Sequence, residues 1–369
     1  MKIGFDAKRA FQNRSGLGNY SRDVIRSLHD NFPEHEYVMF SPESQTNLLQ
    51  EKYTTNVISS KSNSKTGQAY WRSFLVTKDI IESKIDIYHG LSNELPFNIK
   101  KASAKKVVTI HDLIFLEIPK LYPYIDRKLY QKKFWHSCKI ADKIIATSEH
   151  TKKDIIKHFG INRDKIEVIY QTCNPGFAEK ISAEKSKKVL SKYGLKNDYI
   201  LNVGTLETRK NALNIIKAVY YFNMKTDVVF VGRKTSYYKE LRAYIDEHNM
   251  NDRIHFLSDV SNDELPAIYQ NCKLFIYPSL YEGFGIPILE AFSSGVPVIT
   301  SESGSPSEIA GDAAIQVDPL NSKHIGIAIR SVLESPELAE NLIREGAQRL
   351  KLFNNEVVSI NMMKFYQSL

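Results

Sequence analysis

Three cysteines in 369 residues, Cys138, Cys173 and Cys272, are too few and too far apart for a disulfide framework or a thiolate zinc site. They point to a reducing compartment. No stretch approaches the roughly 18 consecutive apolar residues of a membrane span. The opening Met1-Lys-Ile-Gly-Phe-Asp6 has too short an apolar run for a signal peptide and reads as a first strand. The expected location is cytoplasmic. No Asp-x-Asp motif occurs anywhere in the chain. A dinucleotide fingerprint is missing too. Gly16-Leu-Gly18 meets Ser21 where a third glycine belongs, its loop is long, and no acid ends the second strand. A dehydrogenase is thereby disfavoured. Nucleic-acid motifs, internal repeats and low-complexity tracts are also lacking.

What is present is an ordinary globular composition, 42% apolar and 25% charged, in a chain long enough for two cores. The net charge of +8 is uneven. Residues 1–172 hold 28 Lys+Arg against 19 Asp+Glu, and the remainder hold 22 against 23. A basic first half suits a phosphorylated acceptor or an anionic membrane surface, or is a set of solvated helix faces.

Apolar runs alternate with helical patterns throughout, the βαβ signature of parallel sheets, seen twice. The first set of expected strands is 2–5, 37–40, 85–89, 106–110, 143–147 and 166–170. The second is 199–203, 227–231, 254–257, 274–277 and 297–300, with a short 314–317. Asn174-Pro175-Gly176 and the Lys-rich segment to Lys192 read as a linker. The expected fold is α/β with two Rossmann-like domains, 1–172 and 173–352, and a final helical segment, 353–369. Ligands of such sheets bind beyond the strand C-termini.

The most informative stretch is Pro278-Ser-Leu-Tyr-Glu-Gly-Phe-Gly-Ile-Pro-Ile-Leu-Glu-Ala-Phe-Ser-Ser-Gly-Val-Pro-Val-Ile-Thr300. It reads as strand end, glycine loop, helix and strand. Pro287 stands at the expected first helical position, and Gly295 stops the helix. The helix N-terminus offers N–H groups and a positive dipole end to a phosphate. Glu282 and Glu290 lie eight positions apart beside it. Next to a diphosphate, carboxylates are better matched to sugar hydroxyls, which donate to them.

Glu282 to Glu290, within Ser-Leu-Tyr-Glu-Gly-Phe-Gly-Ile-Pro and followed by Gly-Val-Pro-Val-Ile-Thr, resembles the E-x7-E motif of retaining glycosyltransferases of family 4 with the GT-B architecture. The resemblance covers nearly the whole chain. It implies two domains facing a cleft, with the C-terminal helix crossing back to the first domain, and domain closure that assembles the site. The segment Gly204-Thr-Leu-Glu-Thr-Arg-Lys-Asn211 is similar to the family's diphosphate-binding loop, with Thr205 where many members have Arg and Thr208 where Pro is usual. This form resembles that of bacterial polysaccharide mannosyltransferases.

On this resemblance Arg209 and Lys210 hold the donor diphosphate and no metal is required. Glu282 takes the transferred sugar, Glu290 takes the ribose hydroxyls, and Gly283, Phe284, Gly285 and Ile286 face sugar and phosphate. His111, delivered by the strand Val107–Ile110, contacts the donor hexose as a catalytic residue. Gly16 and Gly18 lie in a loop on the acceptor side. GDP-mannose is the favoured donor, with a UDP-sugar as the other choice, and the acceptor is a saccharide or lipid-linked saccharide. A nucleotide-sugar 2-epimerase or hydrolase on the same fold, or a non-catalytic sugar- or nucleotide-binding protein, would share much of this pattern.

Two further stretches stand apart. His89, Asn93 and Glu94 follow a strand end, where they face an acceptor or simply pack. The helical pattern Arg127–Lys139 aligns Lys128, Lys132 and Lys139 on one face. That face suits a membrane surface or a solvated side of a domain-packing helix.

Overall fold

Thirteen parallel strands make two sheets in a computed structural model that describes residues 1–369. The first sheet comprises β1 (Lys2–Asp6), β2 (Glu36–Ser41), β3 (Val57–Ser59), β4 (Ile87–Gly90), β5 (Lys105–Ile110), β6 (Lys143–Ala146) and β7 (Ile166–Val168). The second comprises β8 (Tyr199–Val203), β9 (Val228–Val231), β10 (Ile254–Leu257), β11 (Cys272–Tyr277), β12 (Val298–Ser301) and β13 (Ile315–Val317). The orders are β3-β2-β1-β4-β5-β6-β7 and β10-β9-β8-β11-β12-β13. In each, the chain starts in the middle, winds outward, then returns and winds the other way. This is the doubly wound order, and its reversal point, between β1 and β4 or between β8 and β11, opens a crevice at the strand C-termini.

The chain divides into two compact units. One is Met1–Thr172 with Phe353–Leu369, and the other is Cys173–Leu352. Each has its own core, because the central strands are buried on both faces and read as continuous apolar runs. The one polar residue inside β8, Asn202, is satisfied by donating to the Ile276 carbonyl at 2.7 Å.

Strand boundaries depart from the sequence expectation where polar or edge positions obscure the pattern. β3 is a three-residue, half-buried edge strand with no apolar run to announce it. β4 starts at Ile87 rather than Ile85, because the Ile85 N–H still bonds back to Ile80 of the preceding helix.

Within the first unit the C-terminal helix Asn355–Gln367 is capped by Asn354, whose side chain accepts from the Val357 N–H. It packs on the helix Gly16–Asn31, with Asn31 donating to Ser359 at 2.9 Å. Tyr366 is fully buried and its hydroxyl lies 2.6 Å from His89 Nδ1. No helix is long and apolar enough to cross a membrane. All three cysteines are free thiols.

Candidate active site

The second unit gathers its charged groups at the reversal point. β8 ends at Val203 and leads into Gly204–Asn211, and β11 ends at Tyr277 and leads into Pro278–Gly285. Asn211 holds the two loops together. Its φ is +64°, and its side-chain amide donates to the carbonyls of Pro278 (3.0 Å) and Pro319 (2.6 Å). The Leu280 N–H also bonds to the Arg209 carbonyl at 2.8 Å.

This lacing brings two cations onto one carboxylate. Arg209 Nη1 lies 2.8 Å from Glu282 Oε2, and Lys210 Nζ lies 2.5 Å from Glu282 Oε1. Lys210 also donates to the Tyr277 hydroxyl and sits 4.6 Å from the centre of that ring. Arg209 is steadied by Glu207 at 3.0 Å and by the Tyr281 carbonyl at 3.2 Å. Burial alone would raise Glu282, but Lys210 and then Arg209 outweigh it and hold the carboxyl down to about 2. Glu282 is therefore the counter-ion of the basic pair in this structure. Glu282, expected at the sugar, and Arg209 and Lys210, expected at the diphosphate, thus form one ion-paired cluster.

The following helix, Ile286–Ser293, starts one residue before the expected Pro287. Gly285 makes the entry, with φ +127°, a conformation that L side chains rarely adopt. Phe284 is buried, and Gly283, Gly285 and Ile286 line the chain path between Glu282 and the helix end. The loop is braced from the neighbouring helix Gly304–Ala310, where Ser305 Oγ donates to the Glu282 carbonyl at 2.5 Å.

One turn along, Glu290 accepts from the Tyr269 hydroxyl at 2.9 Å. Burial pushes its carboxyl up to about 7, only partly offset by Tyr269 and Lys210. The two acids are thus pushed in opposite directions, Glu282 fully ionised at pH 7 and Glu290 between its two forms.

In the first unit, His111 follows β5 and is buried. Its Nε2 bonds to the Leu91 carbonyl at 2.9 Å, so that nitrogen carries the proton. The backbone N–H of His111 donates to Asn93 Oδ1 at 2.8 Å, and the ring meets Tyr20 edge-on at 4.6 Å. Burial lowers the imidazole to about 4. The ring is neutral, and Nδ1 can accept from a hydroxyl rather than donate to one.

His89 is packed, with both nitrogens engaged by Tyr366 and by Thr109 at 2.8 Å. Glu94 is paired with Arg72 at 2.8 Å and Lys133 at 3.4 Å. Gly16 and Gly18 lie inside the first turn of the helix Gly16–Asn31, not in a loop before it. A Cβ on Gly18 would come within 1.8 Å of the Asn13 carbonyl oxygen, so close backbone packing requires glycine there.

Sequence reasoning missed Tyr277, Tyr269 and Arg72. Arg72 bridges Asp6 (2.6 Å), at the end of β1, to Glu94 at the first unit's reversal point. These partners are 66 and 22 positions away, and no local motif marks them.

Comparison with known proteins agrees with this geometry. Residues 183–349 match the model described as glycosyl transferases group 1, and residues 14–176 match that of glycosyltransferase family 4. The O-antigen chain mannosyltransferase B of Escherichia coli is 28% identical over 100% of both chains. A Campylobacter jejuni N-acetylgalactosamine-N,N'-diacetylbacillosaminyl-diphospho-undecaprenol 4-alpha-N-acetylgalactosaminyltransferase is 28% identical over 61% of this chain and 60% of its own. Among solved structures, Anabaena HepE in complex with UDP and glucose superposes with a TM-score of 0.79 over 100% of both chains, at 18% identity. The paired Rossmann-like sheets are those of the GT-B fold. The chain belongs to glycosyltransferase family 4.

Proposed function

We propose that this glycosyltransferase moves a hexosyl group, mannosyl from GDP-mannose, to a saccharide hydroxyl with retention, in the synthesis of a bacterial-type polysaccharide or glycolipid. The observation that carries this is the Arg209–Lys210–Glu282 cluster at the second unit's reversal point, one step from a helix N-terminus. Arg209 and Lys210, held by Glu207 and Glu282, offer a diphosphate two cations once it displaces the carboxylates. As the diphosphate engages Arg209 and Lys210, Glu282 is released toward the sugar hydroxyls. Glu290, kept partly neutral by burial, tolerates the nearby phosphate and meets the ribose. The mannosyl choice is supported by the full-length relative named as an O-antigen chain mannosyltransferase.

In the reaction the C1–O bond to the β-phosphate breaks and the acceptor oxygen bonds C1 on the same face. The acceptor proton passes to the departing phosphate oxygen. Arg209 and Lys210 neutralise the charge that develops there, a role that cations aimed at a leaving group fill without a metal. His111 Nδ1 accepts from a hydroxyl of the transferred hexose, and Gly16 and Gly18 belong to the acceptor side.

The test is transfer from GDP-mannose to a panel of mannose-terminated oligosaccharides in EDTA, with the product anomer read by NMR. Product with the donor's own α configuration, absent with Glu282→Ala, is expected. Full activity of Glu282→Ala would overturn the assignment. Turnover of GDP-mannose with no acceptor present would favour an epimerase or hydrolase instead.

A further inference from the structure

We infer that the first unit docks on an anionic lipid bilayer through one continuous basic and apolar face, built from two helical stripes joined by an aromatic bridge. The inference concerns a surface of the first unit and does not depend on which sugar is transferred.

The first stripe lies on the helical stretch formed by Lys65–Tyr70, the π-helical turn Trp71–Leu75 and Val76–Glu82. Its inner face is fixed by Trp71, Val76, Thr77 and Ile80, all buried. Its outer face leaves Tyr70, Phe74, Leu75 and Ile81 exposed, beside a groove of about 890 Å³ whose rim carries Lys61, Lys78 and Lys101. The second stripe is the outer face of the helix Tyr124–Ile140. Phe134, Ser137, Cys138 and Ile140 are buried on one side. Tyr124, Ile125, Leu129 and Trp135 are exposed on the other, interleaved with Lys128, Lys132 and Lys139. The basic face foreseen in the sequence is therefore half apolar.

Phe97 joins the stripes. It stacks on Phe74 with ring centres 5.4 Å apart and meets His136 at 5.0 Å, and Phe74 meets Tyr70 at 5.3 Å. His136 shares its helical face with Ile125, Leu129 and Lys132, at spacings of four, three and four residues. Eight large apolar side chains on this face range from 39% (Phe74) to 78% (Ile125) exposed. A patch of that size is unusual on a surface meant only for water.

Charge selects the occupant. Eight exposed lysines, 61, 65, 78, 100, 101, 128, 132 and 139, surround the apolar residues against two exposed acids, Glu82 and Asp126. Lys128 lies 5.7 Å from the Tyr124 ring centre and Lys139 lies 5.8 Å from that of Trp135. Lysines spread among shallow aromatic and aliphatic side chains match the chemistry of an anionic headgroup layer over acyl chains. The helical stretch from Lys65 also lines a second, polar cavity of about 540 Å³, with Lys8, Lys65 and Arg72 at its wall. Docking would place that cavity, at the end of β1, beside the lipid surface, where a membrane-borne acceptor is presented.

Flotation of the full chain with vesicles tests this. Association is expected with phosphatidylcholine vesicles containing one-quarter phosphatidylglycerol at low salt. It should fall at least tenfold with pure phosphatidylcholine or at 0.5 M NaCl. The variant Leu75→Ser/Ile125→Ser/Leu129→Ser should lose at least tenfold, as should Lys128→Glu/Lys132→Glu/Lys139→Glu. Both should keep the wild-type melting temperature and nucleotide-induced shift. The control Lys185→Glu/Lys188→Glu/Lys196→Glu, an equal charge change in the second unit, should bind as wild type. No binding to anionic vesicles overturns the inference, as does an equal loss in the control. A stable dimer by light scattering that Leu75→Ser/Ile125→Ser/Leu129→Ser abolishes overturns it too, by giving the face to a second copy. A failed flotation with an intact nucleotide shift leaves the transferase assignment standing.

Discussion

Lys210 Nζ sits 2.5 Å from Glu282 Oε1, and it is the meeting of two loops 72 residues apart in sequence that places it there. Both groups are almost fully buried, so neither can lose the other cheaply.

Replacing Glu282 by Ala leaves Lys210 without its carboxylate partner and Arg209 with Glu207 alone. Losing one partner of a buried pair costs about 3–5 kcal/mol. The melting temperature should fall by several degrees without nucleotide. GDP should recover much of that loss, because its diphosphate supplies the missing negative charge. A larger GDP-induced shift in Glu282→Ala than in wild type, with transfer abolished, is the expected pair of results. An equal or smaller shift would contradict the counter-ion role.

Lys210→Met removes one charged contact to the diphosphate, worth roughly tenfold to a hundredfold in affinity. Calorimetric titration with GDP should show that loss, with EDTA making no difference to either protein. Wild-type affinity in Lys210→Met would remove Lys210 from the site.

Glu290 carries a pH signature. Its folded value of about 7 lies above the ordinary 4.5, so its protonated form is the one that folding favours. Its contribution is fully present below pH 4.5 and is lost as pH rises through 7. Glu290→Gln should erase that slope. The stability of wild type relative to Glu290→Gln is expected to fall by about 1–3 kcal/mol between pH 4.5 and 7.5. Parallel melting profiles for the two proteins would show that Glu290 is ionised throughout. Glu282, depressed to about 2, contributes in the opposite sense, and its part is lost only as pH falls toward 2.

Tyr366→Phe leaves the buried Nδ1 of His89 without its 2.6 Å partner. A cost of about 1–3 kcal/mol in denaturant unfolding is expected, with GDP binding unchanged. A neutral substitution would mean that His89 repacks.

The fold and the two loops that carry Arg209, Lys210 and Glu282 were legible in the sequence, because both rest on local patterns. Alternating apolar runs mark parallel strands, and the glycines around Phe284 mark the turn that feeds the Ile286–Ser293 helix. The pairing of Glu282 with Arg209 and Lys210 was not legible. It depends on how Asn211 laces two loops, and the sequence shows only that both loops end neighbouring strands. The helix that begins at Gly16 illustrates the same limit. Its first turn closes against the Asn13 carbonyl, a contact that no propensity encodes, so the glycines read as loop. His111 could be placed at a strand end, but the direction of its hydrogen bond follows from the Leu91 carbonyl, twenty residues away. The apolar half of the Tyr124–Ile140 outer face was hidden for another reason. Apolar residues occur all round that helix, so spacing alone does not show which ones meet water.

The most direct measurement is a thermal-shift panel of GDP, UDP, ADP and their sugars, with and without magnesium. A nucleotide at 100 times its dissociation constant adds about 2.7 kcal/mol, a shift of several degrees. A magnesium-independent shift with GDP and GDP-mannose alone is the predicted result. A shift with UDP alone would contradict the mannosyl donor, and none with any nucleotide would contradict the donor site itself.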